Sequence, residues 1–164
     1  LNHVEKDIKT PVQTIAREGY PLDTMSRVEK ILRDMDAVAC EHGIRFVVDM
    51  PSFFTLALAQ PTEFDRLVHS ILDILLNDAA VDTEIRVSVQ LEDDRIRYRF
   101  TNTGFGLPDD DLQRFLRATG KAVSEDFRVL HDCISMLQCW GGGLEASSAV
   151  GKGFCFEFSL PTVV

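Results

Sequence analysis

From Leu22 onward, apolar residues recur at steps of three and four. Met25, Val28, Ile31, Leu32, Met35, Val38 and Ala39 share one face, which predicts an amphipathic helix capped by Asp23 or Thr24 and closed by Gly43. The period then changes. Ile44–Asp49 is rich in strand-favouring residues and is closed by Pro51, and Leu56–Ala59 forms a second short strand. Pro61 and Thr62 open another helix, with Thr62 as its cap and Asp65 in a box-like position. Its buried stripe is Phe64, Leu67, Val68, Ile71, Leu72, Leu75 and Ala79, while Arg66, Ser70, Asp73 and Asn77 align on a different face.

Strict alternation follows. Ile85, Val87, Val89 and Leu91 face one way, and after a turn at 92–94 so do Ile96, Tyr98 and Phe100. The reverse face of that second strand carries Arg95, Arg97 and Arg99, which reads as a solvated sheet face paired with nearby acids. Residues 109–118 form a short helix, 119–126 a loop, and 127–140 a helix stopped by Gly141, Gly142 and Gly143. A hairpin then joins 144–148 to 153–160, with Phe154, Phe156, Phe158 and Leu160 on one side and Pro161 as the end. This order gives an α+β two-layer sandwich: a mixed, mostly antiparallel sheet with helices packed on one face. Pro11, Gly19 and Pro21 interrupt residues 1–21, which read as a linker or the remnant of a preceding segment. Residues 22–164 are the domain.

Composition narrows the classes. A chain of 164 residues fits one domain with a substantial core. A net charge of −9 argues against nucleic acid and against anionic lipid. No apolar run approaches the roughly 20 residues of a membrane helix, so this stretch is expected in the cytoplasm and out of contact with the bilayer. The chain begins at Leu1, which suggests a fragment of a longer, membrane-anchored protein. Cys40, Cys133, Cys139 and Cys155 form no CxxC pair and read as reduced, small core residues.

The chemistry is concentrated in 101–108. Gly104 and Gly106, directly after a strand, let the backbone turn tightly and approach a flat ligand. Residues 142–161 have a Gly-Gly start, Ser147 and Ser148, Gly151 and Gly153, alternating phenylalanines and Leu160-Pro161. They resemble the C-terminal run of the ATP-binding domain of bacterial sensor histidine kinases, of the GHKL ATPase superfamily. Residues 66–77 resemble that family's N box, and Asn102-Thr103-Gly104-Phe105-Gly106 its first glycine box.

The resemblance implies a Bergerat-type fold and a pocket for ATP and Mg²⁺. Asn77 would hold the metal, and Asn102, Gly104 and Gly106 would hold the nucleotide. Asp73, one helical turn before Asn77, stands where related ATPases carry a catalytic base. Three positions depart from the pattern. The N-box lysine is Ala80, the adenine-reading aspartate is Asn102, and the second glycine box falls on 127–130, with Phe127 and Val129 in place of its glycines. Glycines at a helix N-terminus let backbone N–H groups reach phosphate. Residues 6–11 resemble the tail of the phosphoacceptor motif, with Lys6 where its histidine belongs. Two readings follow. One is a degenerate regulatory module that docks a receiver domain, a cognate kinase or its own upstream domains, with dimerisation left to other regions. The other is an active module that passes the γ-phosphoryl to a partner histidine.

Overall fold

A computed structural model describes residues 19–52, 54–117 and 124–163. The elements are β1 (Tyr20–Leu22), α1 (Thr24–Glu41), β2 (Ile44–Asp49), β3 (Leu56–Ala59), α2 (Pro61–Asp78), β4 (Thr83–Glu92), β5 (Arg95–Thr101), α3 (Asp109–Arg117), α4 (Glu125–Cys139), β6 (Gly143–Ala149) and β7 (Gly153–Val163). Seven strands form one sheet in the order β1-β3-β7-β5-β4-β2, with β6 also paired to β7. Among the described residues only β2 and β4 run parallel; the other pairs are antiparallel. The expected two-layer α+β architecture is observed.

The core lies between the sheet and the helices. Alternation puts Tyr98, Phe100, Phe156 and Phe158 on the inner face, and α2 adds Phe64. Tyr98 and Phe158 stack at 5.0 Å, and Phe64 meets each edge-on at about 6 Å, the arrangements aromatic quadrupoles favour. The buried Tyr98 hydroxyl pairs with Thr24 Oγ1, which ties the start of α1 to the sheet. Burial pushes the Tyr98 phenol well above its ordinary pKa.

Several local expectations are corrected. Gln60, not Thr62, caps α2: its Oε1 accepts the Glu63 N–H at 2.7 Å, with Pro61 in the first turn, where a missing N–H costs nothing. Asp65 instead pairs with Arg27 of α1. Ser70 is buried and donates to the Leu67 carbonyl; Val38 and Leu91, assigned to apolar faces, are exposed. α4 starts two residues earlier than its apolar pattern, because Ser124, Glu125 and Asp126 supply a helix start. Pro161 does not end β7: the strand runs on to Val163 and pairs with β3. Tyr20 and Pro21 belong to β1, so the sheet takes in the end of the leading segment. Residues 6–11 lie outside the described residues. Of the cysteines only Cys133 is buried, which raises its thiol to about 11.

The helix-free face bears the arginine strip. Arg97 binds Glu157 at 2.7 Å and faces Glu92 at 3.5 Å. Arg95 donates to the Gly141 carbonyl and to Ser159 Oγ. Arg45 and Arg86 share Glu84. Of the strip itself, Arg97 is paired with acids, whereas Arg95 is held by a carbonyl and a hydroxyl.

Candidate functional site

Three segments converge at one end of the helical layer: the C-terminus of α2, the glycine loop after β5 and the start of α4. Ile74, Asn77, Asp78, Leu107, Ser124, Asp126, Phe127 and Phe154 line an open cavity of about 290 Å³. This is at the small end of ligand pockets, roughly 300–1,000 Å³.

The glycine loop closes around a residue that the sequence pattern had not singled out. Asp78 follows Asn77, at the alanine position of the N-box pattern. Its Oδ1 accepts the Gly106 N–H at 2.9 Å and its Oδ2 accepts from Asn102 Nδ2 at 3.1 Å. Its backbone carbonyl accepts the Phe105 N–H. The loop is fastened on its other side as well. Gly104 N–H donates to the Lys152 carbonyl, Gly151 N–H to the Phe105 carbonyl, and Leu107 N–H to Ser148 Oγ.

These contacts explain both glycines. A Cβ on Gly104 would fall 2.4 Å from the Asp78 carbonyl and carboxylate oxygens, and one on Gly106, at φ +67°, 2.2 Å from the Ala149 carbonyl. Side chains there would collide with the protein's own backbone, whatever the ligand.

Asn102 points inward. Its Nδ2 also donates to the Leu75 carbonyl at 2.9 Å, and its Oδ1 accepts the Phe154 N–H at 2.8 Å. Both amide hydrogens and the carbonyl oxygen are thus engaged within the fold. Asn77 is exposed at the cavity rim, where Nδ2 lies 3.5 Å from Asp126 Oδ2, at the limit of a hydrogen bond. Asp73 lies half-buried one turn back on α2. Burial raises its pKa first and the nearby Asp126 carboxylate raises it further, with His69 opposing. Asp126 is raised by burial and then by Glu125.

At the start of α4, Phe127 is almost fully buried. Its ring lies 5.6 Å from Phe115 and 6.3 Å from Phe154, while Val129 packs against the main core. The two positions assigned to glycines of a phosphate-binding turn therefore serve packing. Among the described residues no lysine or arginine lines the cavity, and no group of three metal-ligating side chains occurs. His131, on the same helix, hydrogen-bonds the Leu116 carbonyl in the last turn of α3.

The fold thus brings together Asn77, Asn102, Gly104 and Gly106, and sets Asp73 just behind them. Sequence reasoning missed Asp78 and Asp126. The available signal was an aspartate next to Asn77, in a chain with an amide, Asn102, ahead of the glycine loop.

Comparison with known proteins gives the family and the fold. Residues 59–164 match the family model described as histidine kinase-, DNA gyrase B- and HSP90-like ATPase. The sensor histidine kinase MtrB of Mycobacterium tuberculosis is 25% identical over 158 residues, covering 87% of this chain and 26% of that protein. The chain thus spans about a quarter of the length of the curated relatives it matches. Among solved structures, the catalytic domain of the histidine kinase ThkA superposes with a TM-score of 0.74 at 12% identity, covering 87% of this chain and 94% of that one. The mycobacterial sensor histidine kinase MprB gives 0.67 at 18% identity, covering 88% and 97%. Full-length ShkA, in complex with AMPPNP, gives 0.72 at 19% identity, covering 88% and 31%.

Proposed function

Because the chain belongs to the histidine kinase-, DNA gyrase B- and HSP90-like ATPase family, we propose that it is a regulatory member that binds ATP·Mg²⁺ weakly or not at all. It acts by docking a protein partner in two-component signalling: a receiver domain, a cognate kinase or its own upstream domains. It does so in the cytoplasm, as part of a longer sensor protein. The observation that carries this reading is Phe127, packed between Phe115 and Phe154 where a phosphate-binding turn would need open backbone. Ala80 at the lysine position supports it further, as do Asp78 and Asp126 at a cavity that no cation among the described residues lines.

The residues present do not fit a triphosphate. Charge-assisted hydrogen bonds contribute roughly 1.5–3 kcal/mol each, and about 1.4 kcal/mol is a factor of ten in affinity. Loss of the lysine and blocked approach to the turn's N–H groups would take a micromolar site to millimolar. The active reading is favoured by one feature, Asn77, which remains exposed at the cavity rim.

Calorimetric titration with a non-hydrolysable ATP analogue and Mg²⁺ separates the two. The expected outcome is no heat of binding up to millimolar ligand. Micromolar binding that Asn77→Ala abolishes would overturn the proposal in favour of an active kinase module.

A further inference from the structure

The sheet ends on one side in β2, which pairs with β4 and, among the described residues, with no other strand. The chain enters the described part through β1, at the opposite end of the strand order. The outer edge of β2 therefore presents backbone N–H and C=O groups with no strand partner among the described residues, a template on which another strand can add. Ile44–Asp49 contains no proline, and its register with β4 is continuous over the whole strand, so no bulge blunts that edge.

The two faces of β2 differ. Phe46 and Val48 lie in register with the buried Ile85 and Val87 and so point to the helical side, yet Val48 is 44% exposed. With Leu32 they form the apolar floor of an open groove of about 450 Å³ between α1 and β2, rimmed by Glu29, Arg33 and Asp36 of α1. Arg45, Val47 and Asp49 lie on the helix-free face, beside Glu84, Arg86 and Ser88. Glu29, Arg33, Asp36 and Asp49 form no salt bridge among the described residues.

We propose that the outer edge of β2 pairs antiparallel with the same edge of a second copy of this chain, joining two sheets across a two-fold axis at Val47. The order of residues along the strand selects both this occupant and this register. An axis at Val47 sets Arg45 opposite Asp49 of the second copy, Phe46 opposite its Val48, and Ile44 opposite its Met50. Each charge meets its opposite and each apolar residue an apolar one, the pairings that stabilise adjacent strands. Moving the axis one residue either way sets Val47 opposite Arg45 or Asp49 and breaks the match. The same axis runs the two α1 helices antiparallel and brings Arg33 toward Glu29 and Asp36 of the second copy. Arg45 already pairs with Glu84, and its guanidinium has donors to spare for a second carboxylate. The proposal is independent of ATP binding, since no residue of β2 lines the cavity at the end of α2. It puts self-association in the domain itself, where the sequence left dimerisation to other regions.

Sedimentation equilibrium of the 164-residue chain tests it. The salt should be about 0.15 M, which screens repulsion between exposed charges beyond about 8 Å and so offsets the net charge of −9 on each copy. One strand pair makes an interface of the weak class, below about 1,200 Å², so a dissociation constant on the order of 0.1 mM is expected. Amide exchange at residues 44–49 should slow as the concentration rises. Asp49→Arg should weaken the dimer at least tenfold, and so should Arg45→Glu, with the circular dichroism of both unchanged. Mixed in equal amounts, the two variants should associate within about threefold of the parent, because each then supplies the charge that the other lacks. A chain that stays monomeric to millimolar concentration would overturn the inference and leave the edge to a different protein. A dimer that neither variant weakens would overturn it too, as would folded variants that fail to pair with each other.

Discussion

The two glycine-box positions of this chain have had opposite fates. The loop at 102–106 has both glycines, and the start of α4, onto which the second box is counted, carries Phe127 and Val129. At the loop, glycine is required by the protein itself, because a side chain at 104 or 106 would strike the Asp78 or Ala149 backbone. At α4, nothing internal requires glycine, and apolar side chains there bury surface against Phe115, Phe154 and the core. Retained glycines are therefore a poor indicator of a retained ligand. What distinguishes the two sites is whether the fold has its own reason for the missing Cβ.

That contrast can be broken most directly at Gly106. Gly106→Ala forces a left-handed conformation on a residue with a Cβ and pushes that atom into the Ala149 carbonyl. Adding the left-handed cost to an overpacking clash predicts a loss of roughly 4 kcal/mol in chemical denaturation, with no ligand present. A loss below about 1 kcal/mol would mean that the fold does not need this glycine, and the ligand-based explanation would return.

The complementary change is Phe127→Ala. Removing a nearly buried ring from an aromatic cluster should cost about 3 kcal/mol, again by denaturation. The enlarged cavity should still give no heat with an ATP analogue, because no cation has been restored. Recovery of micromolar binding by this change alone would show that bulk, not charge, excludes the nucleotide.

The smallest expected effect concerns Asp73. Its folded-state pKa is raised by burial and by Asp126. Its contribution to stability is therefore fully present below the unfolded carboxyl value and is lost as pH rises through the folded one. Asp73→Asn removes that loss, so the variant should melt slightly above the parent at pH 7. The advantage should vanish below about pH 3.9, the ordinary aspartate value. An advantage independent of pH would place the effect in packing and not in ionisation.

Much of the architecture was legible in the chain. The three- and four-residue steps of 22–43 and 61–79, and the alternation in 85–100 and 153–160, fixed helices, strands and the layered class, because burial of one face imposes its period on the sequence. The boundaries were less so. Gln60 as a cap, the early start of α4 and the run of β7 through Pro161 depend on side-chain acceptors and strand partners distant in sequence. The domain family was visible in the glycine-rich C-terminal run and the spacing of the boxes. The identity of the residue at the centre of the glycine loop was not.

By itself, then, the sequence determined which residues form the sheet's inner face, which helix faces are buried, and which positions depart from the nucleotide-binding pattern. Only the tertiary structure decided what those departures do. Asp78 is twenty-eight residues from the Gly106 amide it accepts, and Phe127 lies twenty-seven from Phe154 and twelve from Phe115. No local period encodes such contacts. They arise when the sheet carries the end of β5, the end of α2 and the start of α4 to one edge of the core.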